Sequence, residues 1–527
     1  MANTMKRAWP AILIALSLPA QMREKPVALY PGLGNWRHPI ATRSPEAQKY
    51  FDQGLALLYG FNRYESLRSF RKAAELDPQA AMAFWGMAMA QGPYVNMDGD
   101  PSFDLRESCA AAAKGGAIKA PKEIERLYIE AAATRCPDFA DPSRYIGAMR
   151  ELAARAPDDL DAQVLYAEAL MVPVRWRWYS SDGKPADGVP EAERVLEAVL
   201  RRNPLHPGAN HLYIHAVESS PAPERGIASA QRLMALQPAA GHVVHMPGHI
   251  WLAIGDFDNA VAVNERAAEV DRRYFAQTGV QSTYYMYYLH NLQFILHARG
   301  MQGRIAATRA VERQITDAAA PMLKMMPEMA GLFNSIVTMA ELRLARWDDL
   351  IAAPQPKADN PLALTFWRYS RAVALAINGR AGEARAEQAE FEKLHQAVDR
   401  NLQWGSNKMG DVMDLAAIVL DARIQQSVSG WKRAVEMQDA LAYDEPPPWY
   451  YPVRESLGAA LLQSGDAPAA EAVFREGLRR SPHNGRMLFG LLESLKAQKK
   501  TDAVAVVQQE FDAAWKGADL KLQLSDL

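Results

Sequence analysis

The sequence predicts an all-α fold, a right-handed solenoid of stacked helix pairs with a few loop insertions. Three observations support this prediction. Prolines that follow helical patterns recur along the chain, and Pro204 and Pro238 are 34 residues apart. Small residues recur at fixed positions ahead of these prolines, and no segment sustains the polar–apolar alternation of a strand. We therefore divide the chain into units of 34 positions, with the closing proline at position 32.

Two units show the pattern most fully. In the unit 47–80, Gly54 is at position 8, Phe70 at position 24 and Pro78 at position 32. The unit 451–484 has the same residue types at these positions, namely Gly458, Phe474 and Pro482. Glycine lets two antiparallel helices approach closely, the larger apolar residue fills the space between units, and proline ends the second helix because it cannot continue the hydrogen-bond ladder.

This arrangement resembles the tetratricopeptide repeat family, whose unit is a helix–turn–helix motif of 34 residues. The segments HMPGHI at 245–250 and YDEPPPWYYP at 443–452 are similar to segments of bacterial members with a histidine-rich central part. The resemblance implies a concave face formed by the first helix of each unit, where a protein or peptide partner would bind. It implies no particular activity.

The repeats also define the predicted organisation of the chain. The predicted segments are a signal peptide (1–20), an extended segment (21–45), N-terminal repeats (46–156), central repeats with a histidine-rich groove (157–315) and C-terminal repeats (316–527). Two stretches are polar and interrupted by glycine and proline, which predicts loops. We expect an insertion near 92–122 and a loop insertion at 173–190.

Composition excludes several classes of protein. Of the 527 residues, 49% are hydrophobic and 23% are charged, which is ordinary for a folded soluble protein. The net charge is −2, and neither the basic excess nor the basic stripe of a nucleic-acid-binding protein is visible. No stretch of about 18 apolar residues occurs, so we predict no membrane span in the mature chain.

The N-terminus and the cysteines bear on localisation. Lys6 and Arg7 precede an apolar run at 11–18, which is the shape of a secretory signal, although Leu18 lies where a small residue is preferred. We predict export to the periplasm; without a functional signal the protein would be cytoplasmic. Cys109 and Cys136 are the two cysteines of the chain, and both a single disulfide and two reduced thiols stay open.

The histidines form the strongest functional pattern. Eight of the 11 histidines lie between residues 206 and 297. In the repeat register, three successive first helices each have a histidine at position 5, namely His211, His245 and His290. Positions 2, 5, 9 and 12 share one helix face because they are three or four residues apart. That face also carries His242, His215, His249, His297 and Glu218. The solenoid therefore brings residues that are distant in sequence into one patch of the groove.

Such a patch is suited to a transition metal, because neutral imidazole is a common ligand of copper, zinc and iron. Histidine pairs four residues apart on a helix can bind one ion, and a neighbouring helix can supply a third nitrogen. The predicted ligands are His211, His215, His245, His249 and His290. Glu218, His242 and His297 are predicted as additional ligands or as groups that orient the ligands. The pattern fits copper, zinc and iron alike.

The segment between two of these histidines breaks a local rule. Pro247 and Gly248 lie between His245 and His249. Proline in a helix interior costs about 3 kcal/mol and kinks the helix, whereas near a helix start the cost is smaller. A broken rule inside a histidine cluster is typical of a functional site.

Five further residues are predicted to reach the same groove: Tyr213, Tyr287, Glu168, Trp176 and Trp178. The two tryptophans belong to a basic aromatic run that either stacks on a ligand by cation–π contact or simply anchors the insertion. The sequence has no P-loop, GxGxxG, HExxH or GxSxG motif, so whether the protein is an enzyme stays open.

Two functions remain. In the first, the groove binds a metal for metal handling or for a metal-dependent reaction on a small molecule or peptide. In the second, it is a metal-free scaffold that binds a partner protein or extended peptide along the groove. Imidazole nitrogens that converge on a point would favour the first function, since a peptide groove needs no such convergence.

Overall fold

The fold is described from a computed structural model that covers residues 26–97, 104–119, 122–279, 284–325, 329–357 and 360–527. The predicted signal peptide at 1–20 lies outside these residues. The N-terminal helices are α1 (Pro45–Tyr59), α2 (Arg63–Leu76), α3 (Ala81–Ala90), α4 (Leu105–Ala117), α5 (Glu123–Ala133) and α6 (Pro142–Arg155). The start of helix α1 is capped, because the Ala47 N–H donates to the Ser44 hydroxyl and Pro45 is the first helical residue.

The central helices carry the histidines. They are α7 (Leu160–Met171), α8 (Val189–Arg202), α9 (Pro207–Glu218), α10 (Ile227–Leu236), α11 (Gly241–His245), α12 (Pro247–Ala253), α13 (Phe257–Thr278), α14 (Tyr284–Met301) and α15 (Ile305–Met325). Helices α11 and α12 together take the place of one first helix and pack on α13.

The C-terminal helices continue the same alternation. They are α16 (Ala330–Leu342), α17 (Trp347–Ala352), α18 (Pro361–Ile377), α19 (Ala381–Ala397), α20 (Met409–Gln425), α21 (Val428–Asp439), α22 (Arg454–Gln463), α23 (Ala467–Arg480), α24 (Gly485–Ala497) and α25 (Thr501–Ala514). Two short antiparallel strands, β1 (Gln403–Trp404) and β2 (Asn407–Lys408), precede α20. The prediction of an all-α solenoid is confirmed.

The repeat positions have the predicted packing. The fully buried Phe70 ring lies between α1 and α3, where a Cβ atom on Gly54 or Gly86 would approach it to 2.7 or 2.3 Å. Phe474 has the same place between α22 and α24. Because any larger residue would overlap the ring, glycine is required for this helix spacing.

The two predicted insertions differ in character. Residues 175–188 form an irregular loop between α7 and α8, as predicted. The insertion near 92–122 is not simply a loop, because it contains the 13-residue helix α4, which packs on α3 and α5. A disulfide joins Cys109 on α4 to Cys136, which follows α5.

The C-terminal repeats fold back onto the central ones. Arg486 on α24 donates to the Gly300 carbonyl of α14 at 3.2 Å, and the Glu445 carboxylate lies 2.5 Å from His249 Nδ1. The segment between α21 and α22 therefore lies against the histidine-bearing face. No helix among the described residues is long and apolar enough to cross a membrane.

Candidate metal centre

Three first helices carry the histidine cluster, in the register that the sequence predicts. His211 and His215 lie on α9, while His290 lies on α14. The helix between them breaks, since α11 ends at His245 and α12 begins at Pro247. This break confirms that Pro247 interrupts a regular helix, and it places Pro247 at a helix start, where its cost is small.

The first histidine group consists of His211, His215 and His242. One nitrogen from each lies within 4.8 Å of the others, and all three side chains are buried. The Nδ1 atom of His211 is 2.5 Å from the Tyr59 carbonyl oxygen, and His215 Nδ1 is 3.2 Å from Glu218 Oε1. Among the described residues, the Nε2 atoms of His211 and His215 and both nitrogens of His242 have no hydrogen-bond partner. Four buried nitrogens are therefore unpaired, and each of the three rings offers one nitrogen to the same small region.

The second histidine group consists of His245, His249 and His290, which also offer nitrogens within 4.8 Å of one another. His245 Nδ1 is 2.7 Å from Asn264 Oδ1, and its Nε2 is 2.8 Å from His249 Nε2. Gly248 leaves room for the Asn264 side chain, because a Cβ atom at position 248 would lie 2.5 Å from the Asn264 amide nitrogen. The absence of a side chain at Gly248 therefore allows Asn264 to contact His245.

Two buried carboxylates flank the second group. His249 Nδ1 lies 2.8 Å from Glu218 Oε2 and 2.5 Å from Glu445 Oε2. Glu445 also accepts a hydrogen bond from the hydroxyl of Tyr443. Glu218, His249 and Glu445 form a third set whose donor atoms lie within 4.8 Å. Glu218 is shared, since its other oxygen contacts His215 of the first group.

Burial determines the protonation of most of the cluster. It lowers the pKa of His211, His242 and His245 well below the usual value, and neighbouring imidazoles add to the effect. Burial, with repulsion from His249, lowers the pKa of His290 to about 3. These four imidazoles are therefore neutral at pH 7, the form that binds metals.

His249 behaves differently. Burial lowers its pKa, but the carboxylates of Glu218 and Glu445 outweigh burial and raise that pKa above the usual value. The same contact lowers the pKa of Glu218 against the opposing effect of burial. In the metal-free protein, a proton on His249 therefore balances part of the buried negative charge.

A cavity of about 500 Å³ adjoins the cluster. Histidines of both groups line it, namely His215, His242, His249 and His290. On the other side lie α16 and the segments 404–406 and 444–450. Because these segments cover part of the histidine-bearing face, this part of the solenoid is a partly covered pocket rather than a fully open groove. An extended peptide along it would require segment 444–450 to move.

The predicted groove contacts divide into two sets. Tyr287 lines the cavity with its ring 4.3 Å from that of His242, and Trp176 lines it with its ring 6.4 Å from that of His215. Trp176 has a left-handed φ of 62°, which is uncommon for a bulky residue and is typical of functional sites. Trp178 is fully buried behind it, with its ring 5.7 Å from His215. His297 also lines the cavity but belongs to none of the three donor groups among the described residues.

The other two predicted contacts are wrong. The Tyr213 hydroxyl donates to Glu197 at 2.8 Å, so this ring packs toward α8, away from the histidines. Glu168 is buried against Arg63, with 3.5 Å between the charged atoms, and takes no part in the donor groups. Tyr213 lies two residues from His211 and two from His215, which places it on the opposite helix face.

Sequence reasoning also missed several contributors. Glu445 and Tyr443 come from the proline-rich segment, whose unusual composition was the available signal. Asn264 on α13 and Phe61 after α1 gave no signal at all. The Phe61 ring packs on His211 at 4.4 Å and on His242 at 5.1 Å.

A further acidic–histidine set lies elsewhere and is structural. Asp161 accepts hydrogen bonds from the ring N–H of Trp36 at 3.0 Å and the hydroxyl of Tyr59 at 2.6 Å. His38 Nδ1 is 2.8 Å and His206 Nε2 is 3.3 Å from the same carboxylate. The Asp161 carboxylate therefore already has four partners. The network connects the extended N-terminal segment to the repeats.

Neither a protein-family model nor a curated protein sequence matches this chain. Solved structures of helical repeat proteins are similar at low scores. The APC/C hetero-tetramer Cut9–Hcn1 has a TM-score of 0.36 at 12% identity, over 91% of this chain and 75% of its own. The human IFIT1 dimer with m7Gppp-AAAA has a TM-score of 0.35 at 12% identity, over 90% of this chain and 92% of its own. Yeast Tom70 has a TM-score of 0.30 at 12% identity, over 89% of this chain and 90% of its own. Likeness at this level carries no argument about function, and the fold follows from the helices themselves.

Proposed function

We propose that the two histidine groups bind transition-metal ions, copper, zinc or iron, one ion to each group. The observation that carries the proposal is the pair of three-histidine sets, in each of which the donor nitrogens lie within 4.8 Å of one another. In the first set, nitrogens of all three histidines are also otherwise unpaired. Buried polar atoms are nearly always hydrogen-bonded, so several unpaired nitrogens in one place indicate a ligand. Three imidazoles with an open fourth position form a common catalytic metal site.

The partners of the ligands support the same proposal. Metal-bound histidines usually donate their second ring N–H to a carboxylate or carbonyl oxygen, which fixes the ring. The Nδ1 atoms of His211, His215 and His245 each face such an oxygen, on Tyr59, Glu218 and Asn264. The outward nitrogens are thereby left for a metal.

The charges of the site are also suited to a cation. Glu218 and Glu445 have buried side chains whose carboxylates both contact the His249 imidazole, and they would compensate the charge that an ion brings. Binding would displace the proton on His249. It would also widen the His245–His249 nitrogen separation from 2.8 Å to about 3.3 Å, the spacing of two tetrahedral ligands.

We propose a metal-dependent reaction on a small molecule in preference to metal handling. Histidines of both groups form one wall of the cavity, so an open coordination position on either ion would face bound substrate. A handling site needs no such cavity.

Elemental analysis tests the proposal. Protein without a histidine tag is incubated with copper, zinc or ferrous iron, desalted and analysed by mass spectrometry. We expect two ions per chain, and the variants His211→Ala/His215→Ala and His245→Ala/His249→Ala should each lose one or both. The control His395→Ala, a half-buried histidine of α19, should retain both. Wild-type protein that stays metal-free, or variants that retain the full content, would overturn the proposal.

We also propose export. The disulfide between Cys109 and Cys136 supports it, because disulfides persist in oxidising compartments. Fractionation of expressing cells tests this: protein confined to the reducing cytoplasm would contradict it.

A further inference from the structure

We infer that the cavity beside the histidine cluster binds an uncharged, planar aromatic small molecule whose polar end faces the histidines. The inference deepens the proposed function. It rests on the proposed metal site only for the statement that the polar end of the ligand would react. The shape and chemistry of the cavity walls carry the choice of ligand.

The cavity has one polar end. There, His215, His242, His249 and His290 face a volume of about 500 Å³, together with the Glu445 carboxylate. This volume is within the range of small-molecule sites, which are mostly apolar with a few placed polar groups. A ligand that fills the cavity therefore needs a hydrogen-bonding or metal-ligating group at the end that faces these histidines, and a mainly apolar body elsewhere.

Most of the remaining wall is formed by aromatic rings, prolines and aliphatic side chains, although Asn96, Gln293, His297 and Ser406 also line it. The rings of Trp176 and Tyr287 lie near the histidines, and Trp404 and Tyr450 lie on the covering segments. Residues 446–448 add three consecutive prolines, and α16 contributes Ile336. Flat aromatic and proline faces pack best on a planar ring, and aromatic pairs gain more than area burial alone supplies.

Charged residues on the cavity wall are already engaged. Arg343 forms its ion pair with Glu455, and the Asp444 carboxylate accepts the Ser406 N–H at 2.9 Å. Burial raises the pKa of Asp444 to about 7. A phosphate, a carboxylate or a sugar would therefore meet few groups able to replace its water, and an uncharged ring meets complementary surface.

Access is available at the start of α14. Met286 lines the cavity and is 37% exposed, so it lies between the interior and the solvent. The enclosure by segments 404–406 and 444–450 favours a small molecule over a polypeptide, which would need a continuous open groove.

The test compares 4-phenylimidazole with imidazole. Both carry the same ligating ring, and only the first carries the phenyl group that the walls would accommodate. Binding is measured by calorimetry on metal-loaded and on metal-free protein. We expect 4-phenylimidazole to bind at least tenfold more tightly than imidazole, because binding transfers the apolar surface of the phenyl ring from water into the cavity.

Variants of α16 test whether the preference for 4-phenylimidazole over imidazole arises in the cavity. Ala340 lines the wall, and Ala340→Trp should abolish the preference, while Ala340→Leu, a milder change, should reduce it. The matched control is Ala386→Trp on the exposed face of α19, which should leave it unchanged. Metal content, measured on the same samples, reports on the proposed function separately.

Equal affinity for the two compounds in the wild type would overturn the inference, as would a preference that survives in both Ala340 variants. If the protein takes up no metal, the proposed function fails. The comparison on metal-free protein still decides the inference.

Discussion

Glu218 offers the sharpest test of the site, because one carboxylate contacts an imidazole from each histidine group. Its Oε1 atom lies 3.2 Å from His215 Nδ1, and its Oε2 atom lies 2.8 Å from His249 Nδ1. Glu218→Gln keeps the size of the side chain but removes its charge and one acceptor. Both metal sites should therefore weaken together.

The magnitude follows from the contacts. Replacing a group that orients a ligand typically lowers metal affinity 10- to 100-fold, which corresponds to about 1.4–2.7 kcal/mol. The effect should be larger at the second group, where the contact is shorter and His249 also faces Glu445. Asn264→Ala removes only the partner of His245, so it should weaken the second site alone.

Competition with a chelator of known affinity gives the two dissociation constants for each variant. Glu168→Gln is the matched control, since Glu168 is an equally buried glutamate that contacts Arg63 and none of the histidines. The reasoning is refuted if Glu218→Gln leaves either site at wild-type affinity. It is also refuted if Glu168→Gln weakens both sites as strongly.

Two further predictions concern stability. The disulfide closes a loop with a sequence separation of 27, so Cys109→Ser/Cys136→Ser should lower the free energy of unfolding of the N-terminal repeats by about 3.5 kcal/mol; an unchanged melting temperature in calorimetry would contradict this. The Asp161 network predicts a pH dependence, because hydrogen bonds from His206 and His38 outweigh burial and hold the pKa of Asp161 below its usual value. The ionised Asp161 carboxylate contributes fully to the free energy of unfolding above about pH 4, and this contribution is lost as the pH falls further. Asp161→Asn should therefore lower the melting temperature at pH 7, and the difference from wild type should narrow below pH 4.

The sequence was sufficient for the features that depend on local periodicity. A glycine at position 8 and an aromatic residue at position 24 predict the packing of Phe70 between α1 and α3, since both are consequences of helix geometry. The same register predicts His211, His245 and His290 on one face of successive first helices. In the structure His245 and His290 share the second group, whereas His211 belongs to the first group with His242.

Features that depend on the curvature of the whole superhelix could not be predicted in this way. Glu445 reaches His249 only because the C-terminal repeats fold back, and small rotations between successive repeats decide where that segment arrives. Single repeats predict an open groove. In the structure, segments 404–406 and 444–450 cover part of that groove and leave a cavity. Tyr213 was misassigned for a local reason, since a residue two positions from a groove histidine points to the opposite face.

The energetics of the cluster argue that a ligand belongs there. A buried polar atom left unpaired costs about 1–3 kcal/mol, and the first histidine group has four such nitrogens among the described residues. Their combined cost is comparable to the whole stability of an ordinary domain, about 5–15 kcal/mol. Apolar side chains of similar volume would fill the same space without that cost. Metal coordination would use one nitrogen of each imidazole as a ligand, so binding should stabilise the protein in proportion to the logarithm of free metal concentration.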